Sequence, residues 1–422
     1  MFRRSFVVWV CALGSLRAQE VRPKDVREIA KGGANAIPRL QELLKPSSST
    51  DVRIEVVKQI IEIGTQRSID PLIVAAADND PEVQGRAADG LVNFYLPGYV
   101  KTGFGASIRR VGTSIKGKFT DTNDQIIDSY VTVRPEVIRA LGTQVAHGGS
   151  LEVRANAARA VGVLRGRAAL PELIEALHTK NTDLMYESLI AIQKIRDESA
   201  GPRITFLLHD LDAKVQMAAI ETTGLLRYKD AVPELTDVLN RARDVKVKRA
   251  SLTALAMIPN EQSRALYTQY LRDKDDKLRG AAAEGFGRLR KPSDLPVLEA
   301  AWKDEGKISP RLSLAFAQVM LGKTEVTEFS PLQFLVNNLN SASYKGEAFP
   351  LLVELAREAR VRSALYRPLQ SGTKDEKIGV AGVLARSGDA GSLPELDKLA
   401  NDSDPEVARE ALKAKQALQA RM

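Results

Sequence analysis

The sequence predicts an all-α protein: an α-solenoid (superhelix) of about eleven helical hairpins, broken by one insertion. Three observations predict it. A proline recurs at a fixed period, with Pro171, Pro202 and Pro233 equally spaced. An aliphatic position keeps step, since Val153, Leu184, Val215, Val247 and Leu278 are spaced 31, 31, 32 and 31. The composition favours helix: of 422 residues 44% are hydrophobic and 27% charged but only 5% aromatic. The same figures exclude a disordered chain, and 29 Gly with 19 Pro exclude a collagen-like one. A unit this short buries no core alone, so copies must stack.

Residues 1–18 read as a secretory signal peptide. Arg3 and Arg4 form a basic start, Ser5 to Leu13 an apolar run, and Ala18 precedes the polar Gln19 and Glu20. Leu16 makes the cleavage signal imperfect, and Arg3-Arg4-Ser5-Phe6-Val7 faintly resembles a twin-arginine leader. The apolar run is well short of the roughly 20 residues that span a bilayer. Cleavage removes Cys11, the one cysteine, and leaves no thiol for a disulfide or a nucleophile. It also removes Arg3, Arg4 and Arg17 with no acid, so the net charge of +8 becomes +5. The expected setting is a bacterial periplasm or the exterior, and the mild charge permits an anionic partner without demanding one.

Repeats then fill 19–95, 135–325 and, in degenerate form, 326–422. Units open near Pro38, Pro71, Pro171, Pro202, Pro233, Pro296 and Pro394, with weaker ones near 140, 265, 331 and 363. Proline suits a first helical turn, where its missing N–H costs nothing. A short amphipathic helix follows, as in Leu173, Ile174 and Leu177. A polar turn such as Asp78-Asn79-Asp80-Pro81 or Asp404-Pro405 supplies an aspartate cap for the next helix. That second helix carries small residues, as in Val153, Ala157, Ala158, Ala160, Val161 and Leu164, which let neighbours approach closely. Ala411 to Met422 suits a terminal cap, and Asn337 to Lys345 a bend in the array.

These motifs resemble those of HEAT repeats, of the short type also found in the bilin-lyase-like family. Asp80-Pro81-Glu82-Val83, Glu152-Val153-Arg154 and Asp404-Pro405-Glu406-Val407 match the start of the second helix, and Ala160-Val161-Gly162-Val163-Leu164 matches its end. The resemblance covers nearly all of the chain beyond the leader. It implies a scaffold that binds other proteins and transfers no catalytic residue.

The stretch 96–134 does not fit the period. Its first half holds Lys101, Arg109, Arg110, Lys116 and Lys118 with no acid before Asp121, together with Tyr99, Phe104 and Phe119. Phe104, Ile108, Val111, Ile115 and Phe119 are spaced 4, 3, 4 and 4, a single apolar stripe on a helix. Two readings stand: a segment packed on the array, or an element contacting a partner protein or a membrane surface. Asp121, Asn123, Asp124 and Asp128 mimic a calcium loop without its Gly and Glu, and fit a capped helix start instead.

The three histidines, His147, His178 and His209, lie one period apart. Rungs roughly 10 Å apart cannot share one metal ion. They suit helix C-termini, or a pH-sensitive or metal-bridging edge. Arg243, Lys246, Lys248 and Arg249 form a basic cluster, and Arg154, Lys248 and Arg279 share one register position. Together they make a candidate basic stripe for a partner, or solvated surface. Nucleic acid is not expected as a partner. No G-x-S-x-G, no phosphate-binding glycine loop and no His-Glu pair occurs, so no enzyme activity, metal or cofactor is expected. The sequence therefore predicts a non-catalytic interaction scaffold of the cell envelope, working through its concave face or the 96–134 insertion. Peripheral membrane or anionic-polymer binding through 98–119 is the alternative, and a bilin-lyase-like enzyme a more distant one.

Overall fold

The computed structural model describes residues 21–99, 125–128 and 131–422. Every regular element among them is helical. A leading helix, Pro23–Ala30, is followed by eleven hairpins among the described residues. Their second helices are Thr50–Ile63, Pro81–Tyr95, Leu151–Val163, Thr182–Ile195, Ala213–Leu225, Val245–Met257, Asp276–Leu289, Ile308–Met320, Lys345–Leu355, Lys374–Ser387 and Pro405–Gln419. They stack side by side as one layer, and the shorter first helices form the other.

The register positions explain the stacking. Leu184 and Val215 are fully buried, and Val153, Val247 and Leu278 are buried as well. Each such side chain contributes about 1.5–3 kcal/mol on leaving water. Aspartates start the second helices as expected: Asp80, Asp212, Asp275 and Asp404 each accept two backbone N–H bonds. Each such cap stabilises by about 1 kcal/mol. Neighbouring second helices approach through glycine. A Cβ on Gly162 would lie 2.7 Å from Ala191 Cα, on Gly224 2.6 Å from Ala254 Cα, and on Gly287 2.7 Å from Ala317 Cα. The close pairs recur every second hairpin.

Three expectations need correction or refinement. The unit at Pro202 has no first α-helix but two 3-10 segments, Glu198–Arg203 and Thr205–His209. Its Gly201 replaces the Leu170 and Val232 of its neighbours because the Tyr228 ring would stand 2.7 Å from a Cβ there. Asp128 caps no helix; the chain around it is irregular and the next helix begins at Pro135. The bend starts before Asn337. The apolar core divides at Ile308–Met320, whose Leu314 and Ala317 belong to the preceding cluster and whose Leu312 and Phe316 to the following one. Beyond it, helix Lys345–Leu355 reaches back to Asp276–Leu289 at both ends, through Lys277–Glu347 (3.0 Å) and Arg288–Glu354 (2.8 Å).

Residues 1–20 and 100–124 lie outside the described residues, and with them the leader and most of the insertion.

Candidate functional site

Arginine serves the two ends of the second helices differently. At their starts it holds the hairpin together. Arg53 Nη1 donates to Ser48 O at 2.6 Å, and its other nitrogens to Asp78 Oδ2 (2.8 Å) and Oδ1 (3.0 Å). Arg154 Nε donates to Val145 O at 2.8 Å. Arg279 donates to Asp273 O (2.8 Å) and to both oxygens of Glu305 (2.7 and 3.0 Å). Gln84 and Gln216 do the same work, donating to Asp78 O (2.5 Å) and Leu208 O (2.9 Å). The acceptors are carbonyls at the end of the preceding first helix (Val145, Leu208) or in the turn that follows it (Ser48, Asp78, Asp273), where no helical N–H reaches them.

The expected basic stripe therefore does not form as one free surface. Arg154 and Arg279 are committed to carbonyls, and Arg249 pairs with Asp275 at 2.5 Å. The exposed Arg243 and Lys246 and the half-buried Lys248 make no side-chain hydrogen bond or ion pair among the described residues. Charge density along the sequence cannot separate a bonded guanidinium from a free one.

Of the insertion residues, Tyr99 is described; Lys101, Phe104, Ile108, Arg109, Arg110, Val111, Ile115, Lys116, Lys118 and Phe119 lie outside. Tyr99 rests against the second-helix layer beside Asp89, Arg159 and Glu187. Its phenol is pushed up to about 12, first by burial and then by the Asp89 charge, with Arg159 opposing. Arg159 binds Glu187 through two bonds of 2.9 and 3.2 Å, and Asn156 donates to Asp89 at 3.0 Å. The chain returns at the carboxyl end of Leu151–Val163, where the buried Ile127 donates its N–H to Val163 O at 3.0 Å. A cavity of about 260 Å³ lies there, lined by Ile127, Asp128, Ile138 and Arg165 among others. Both roots of the insertion thus meet the second helices.

That layer is the inner side of the curl. Arg227 closes Ala213–Leu225 yet pairs with Glu354 at 3.1 Å, four hairpins later. Only the inside of a tightly bent array brings such distant hairpins together. Arg290 likewise reaches Glu358 at 2.7 Å. On this edge Arg165, Arg196, Arg227 and Arg290 all adopt a left-handed backbone, with φ of 50, 57, 53 and 55°. The conformation ends each helix by turning its last carbonyls onto backbone N–H groups; Arg196 N donates to Ile192 O at 2.9 Å. The Arg196 guanidinium is held below its usual range by the surrounding protein and by the charges of Arg165, Arg357 and Arg227. Glu221, on the same layer, is pushed up by burial. This second arginine register was missed from sequence, although its even spacing at 165, 196 and 227 was visible there.

The histidines do not act together. His147 ends its helix, His178 stacks on Phe206 with centroids 4.8 Å apart, and His209 Nε2 meets Glu234 Oε1 at 2.5 Å. Among the described residues no group of three or more His, Cys, Asp or Glu could hold a metal ion. No helix among them is long and apolar enough to cross a membrane.

The sequence matches the family model for HEAT repeats over residues 26–101, 138–224 and 232–315. Solved structures are similar to it at low identity. The complex of CpcE and CpcF of phycocyanin lyase from Nostoc sp. PCC7120 is 16% identical, covers 63% of this chain and 92% of its own, with a TM-score of 0.38. YibA of Escherichia coli is 16% identical over 70% of this chain and 94% of its own, with a TM-score of 0.41. Kap95p, solved with RanGDP, is 12% identical over 95% of this chain and 60% of its own, with a TM-score of 0.46. No curated protein matches the sequence.

Proposed function

The chain belongs to the HEAT-repeat family, and from that premise we propose that it is a non-catalytic scaffold holding a protein partner on its inner face. The observation that carries this is the position of the two described residues that flank 100–124: Tyr99 and Ile127 both join the second-helix layer. The basic, aromatic sequence between them would supply a partner with both charge and apolar surface. Free polar groups on the same layer, Glu221 and Arg196 among them, would set the partner's orientation rather than the affinity alone. We assign the scaffold to the bacterial envelope or exterior on the strength of Arg3, Arg4 and the apolar run that follows them. No catalytic role is assigned, because the sequence carries no nucleophile–base motif and no cofactor fingerprint.

The test is an affinity capture from envelope extract, comparing the leaderless chain with one lacking 98–119 after both are shown to melt alike. A protein lost only by the deletion makes the insertion the binding element, and a protein kept by both places binding on the helices. Capture of no protein by either, together with salt-sensitive adsorption to anionic vesicles, would replace the scaffold with a membrane binder.

A further inference from the structure

The carboxyl-end arginines are the least explained charges in the molecule. Arg165, Arg196 and Arg227 follow one another at equal intervals on the inner edge, all exposed and all left-handed at φ 50–57°. That backbone strains any residue with a Cβ, and glycine is the residue that relieves it. The array uses glycine at the same place elsewhere, at Gly64 after Thr50–Ile63 and at Gly322 after Ile308–Met320. Arginine here therefore holds a strained position without the geometric advantage of glycine. A cation does favour a helix C-terminus, but an ordinary residue upstream of the turn supplies that as well.

Their charges are largely unspent. Arg227 shares Glu354 with the buried Arg288. Arg165 and Arg196 make no side-chain hydrogen bond or ion pair among the described residues, and neither does Arg357, which the bend folds in from the far side. Asp128 lines the cavity beside Arg165. Glu221 lies about 9 Å back along its helix from Arg227. Four cations thus converge on one strip of the inner edge with a single carboxylate, Glu354, paired among them.

We propose that this strip is a docking row for an extended acidic peptide, with Asp or Glu at every third residue. The proposal rests on the scaffold reading and names the partner's chemistry. Rungs of a stacked array recur at roughly 10 Å. An extended chain rises about 3.3 Å per residue, so every third side chain meets the next rung. Each guanidinium offers a planar fork that pairs bidentately with a carboxylate. A flat bilayer cannot follow a row on the inside of a curl, whereas a single strand can.

The test uses fluorescence anisotropy with the leaderless chain. The probe is a labelled 13-residue peptide with aspartate at every third position in a Gly/Ser background. A peptide of the same composition with contiguous aspartates and an oligothymidylate of equal charge are the comparisons. Arg196→Gly removes charge while giving the left-handed turn its preferred residue, so it should melt like the parent; the triple Arg165→Gly/Arg196→Gly/Arg227→Gly also breaks the Arg227–Glu354 pair and is assayed below its own melting transition. Lys246→Ala controls for net charge. The spaced peptide should bind about tenfold tighter than the contiguous one, and Arg196→Gly should weaken it about tenfold. The triple variant should abolish binding, and Lys246→Ala should leave it within about twofold. Equal binding of the two peptides, tighter binding of the oligothymidylate, or binding that survives the triple variant would each overturn the proposal. A parent chain that captures a protein but binds no spaced peptide would end the peptide row and leave the scaffold reading standing.

Discussion

The starts and the ends of the second helices use the same residue type for opposite purposes. At the starts, Arg53, Arg154 and Arg279 donate to carbonyls at the end of the preceding helix or in the turn that follows it, and Arg53 and Arg279 also bind an acid of the next unit. These arginines belong to the architecture. At the ends, Arg165 and Arg196 stand free on the inner edge of the curl, with backbone strain and no acid to explain them. Arg288 and Arg290, almost adjacent in the chain, sharpen the contrast. The first is buried against Glu284, Glu354 and the Phe316 ring, while the second is exposed. Position on the curl, not residue type, decides whether an arginine is structural.

Breaking the contrast should hurt most at Arg288. Arg288→Ala would leave Glu354 and Glu284 without their main cation in a half-closed site and lose about 3–5 kcal/mol. Because that network also ties Lys345–Leu355 back to Asp276–Leu289, small-angle scattering of the variant should show a longer particle. An unchanged melt and profile would mean the bend is held by packing alone.

Arg53→Ala comes next, at about 3 kcal/mol, since both Arg53 and Asp78 are 5–6% exposed as side chains and Ser48 O loses its donor. Hydrogen exchange should speed up first in 45–63. Exchange that rises equally across all hairpins would contradict a local staple.

Acid should find the same network. Burial pushes Glu354 up, but the Arg288 hydrogen bond and the charges of Arg288, Arg227 and Arg357 outweigh it and hold the carboxyl below its ordinary 4.5. A lowered carboxylate adds stability that is complete above the unfolded value and lost as pH falls through the folded one. Urea midpoints should therefore fall below about pH 4.5, and Glu354→Gln should flatten part of that dependence. A midpoint that rises on acidification would contradict the assignment. At the insertion root, Tyr99 should resist ionisation until about pH 12 in an ultraviolet titration. Tyr99→Phe should remove one tyrosine from the late phase and cost about 1 kcal/mol.

Much of the fold was legible because stacking forces a period. Val153, Leu184 and Val215 share a buried position, and Asp80 and Asp404 cap as their spacing requires. The site was less legible for a physical reason. Arg154 and Arg165 are both arginines of one repeat, and sequence assigns the same charge to each. Only the fold shows that one points at a carbonyl and the other into the curl. The Pro202 unit misled because a proline signals a helix start, whereas the Tyr228 ring, from further along the chain, fixes Gly201 and unwinds the turn. The bend was visible only as weak repetition, since the ion pairs that span it join residues of distant hairpins.

The most direct test of the account is a paired melt of Arg279→Ala and Arg196→Gly in the same buffer. Arg279→Ala should lose about 1–3 kcal/mol, because the buried Glu305 carboxylate loses its cation and the Asp273 carbonyl its side-chain donor. Arg196→Gly should stay within about 0.5 kcal/mol of the parent or rise, as a relieved left-handed turn offsets the lost helix-end charge. Equal losses at both positions would contradict this division, and would make the arginines at the helix ends as structural as those at the starts.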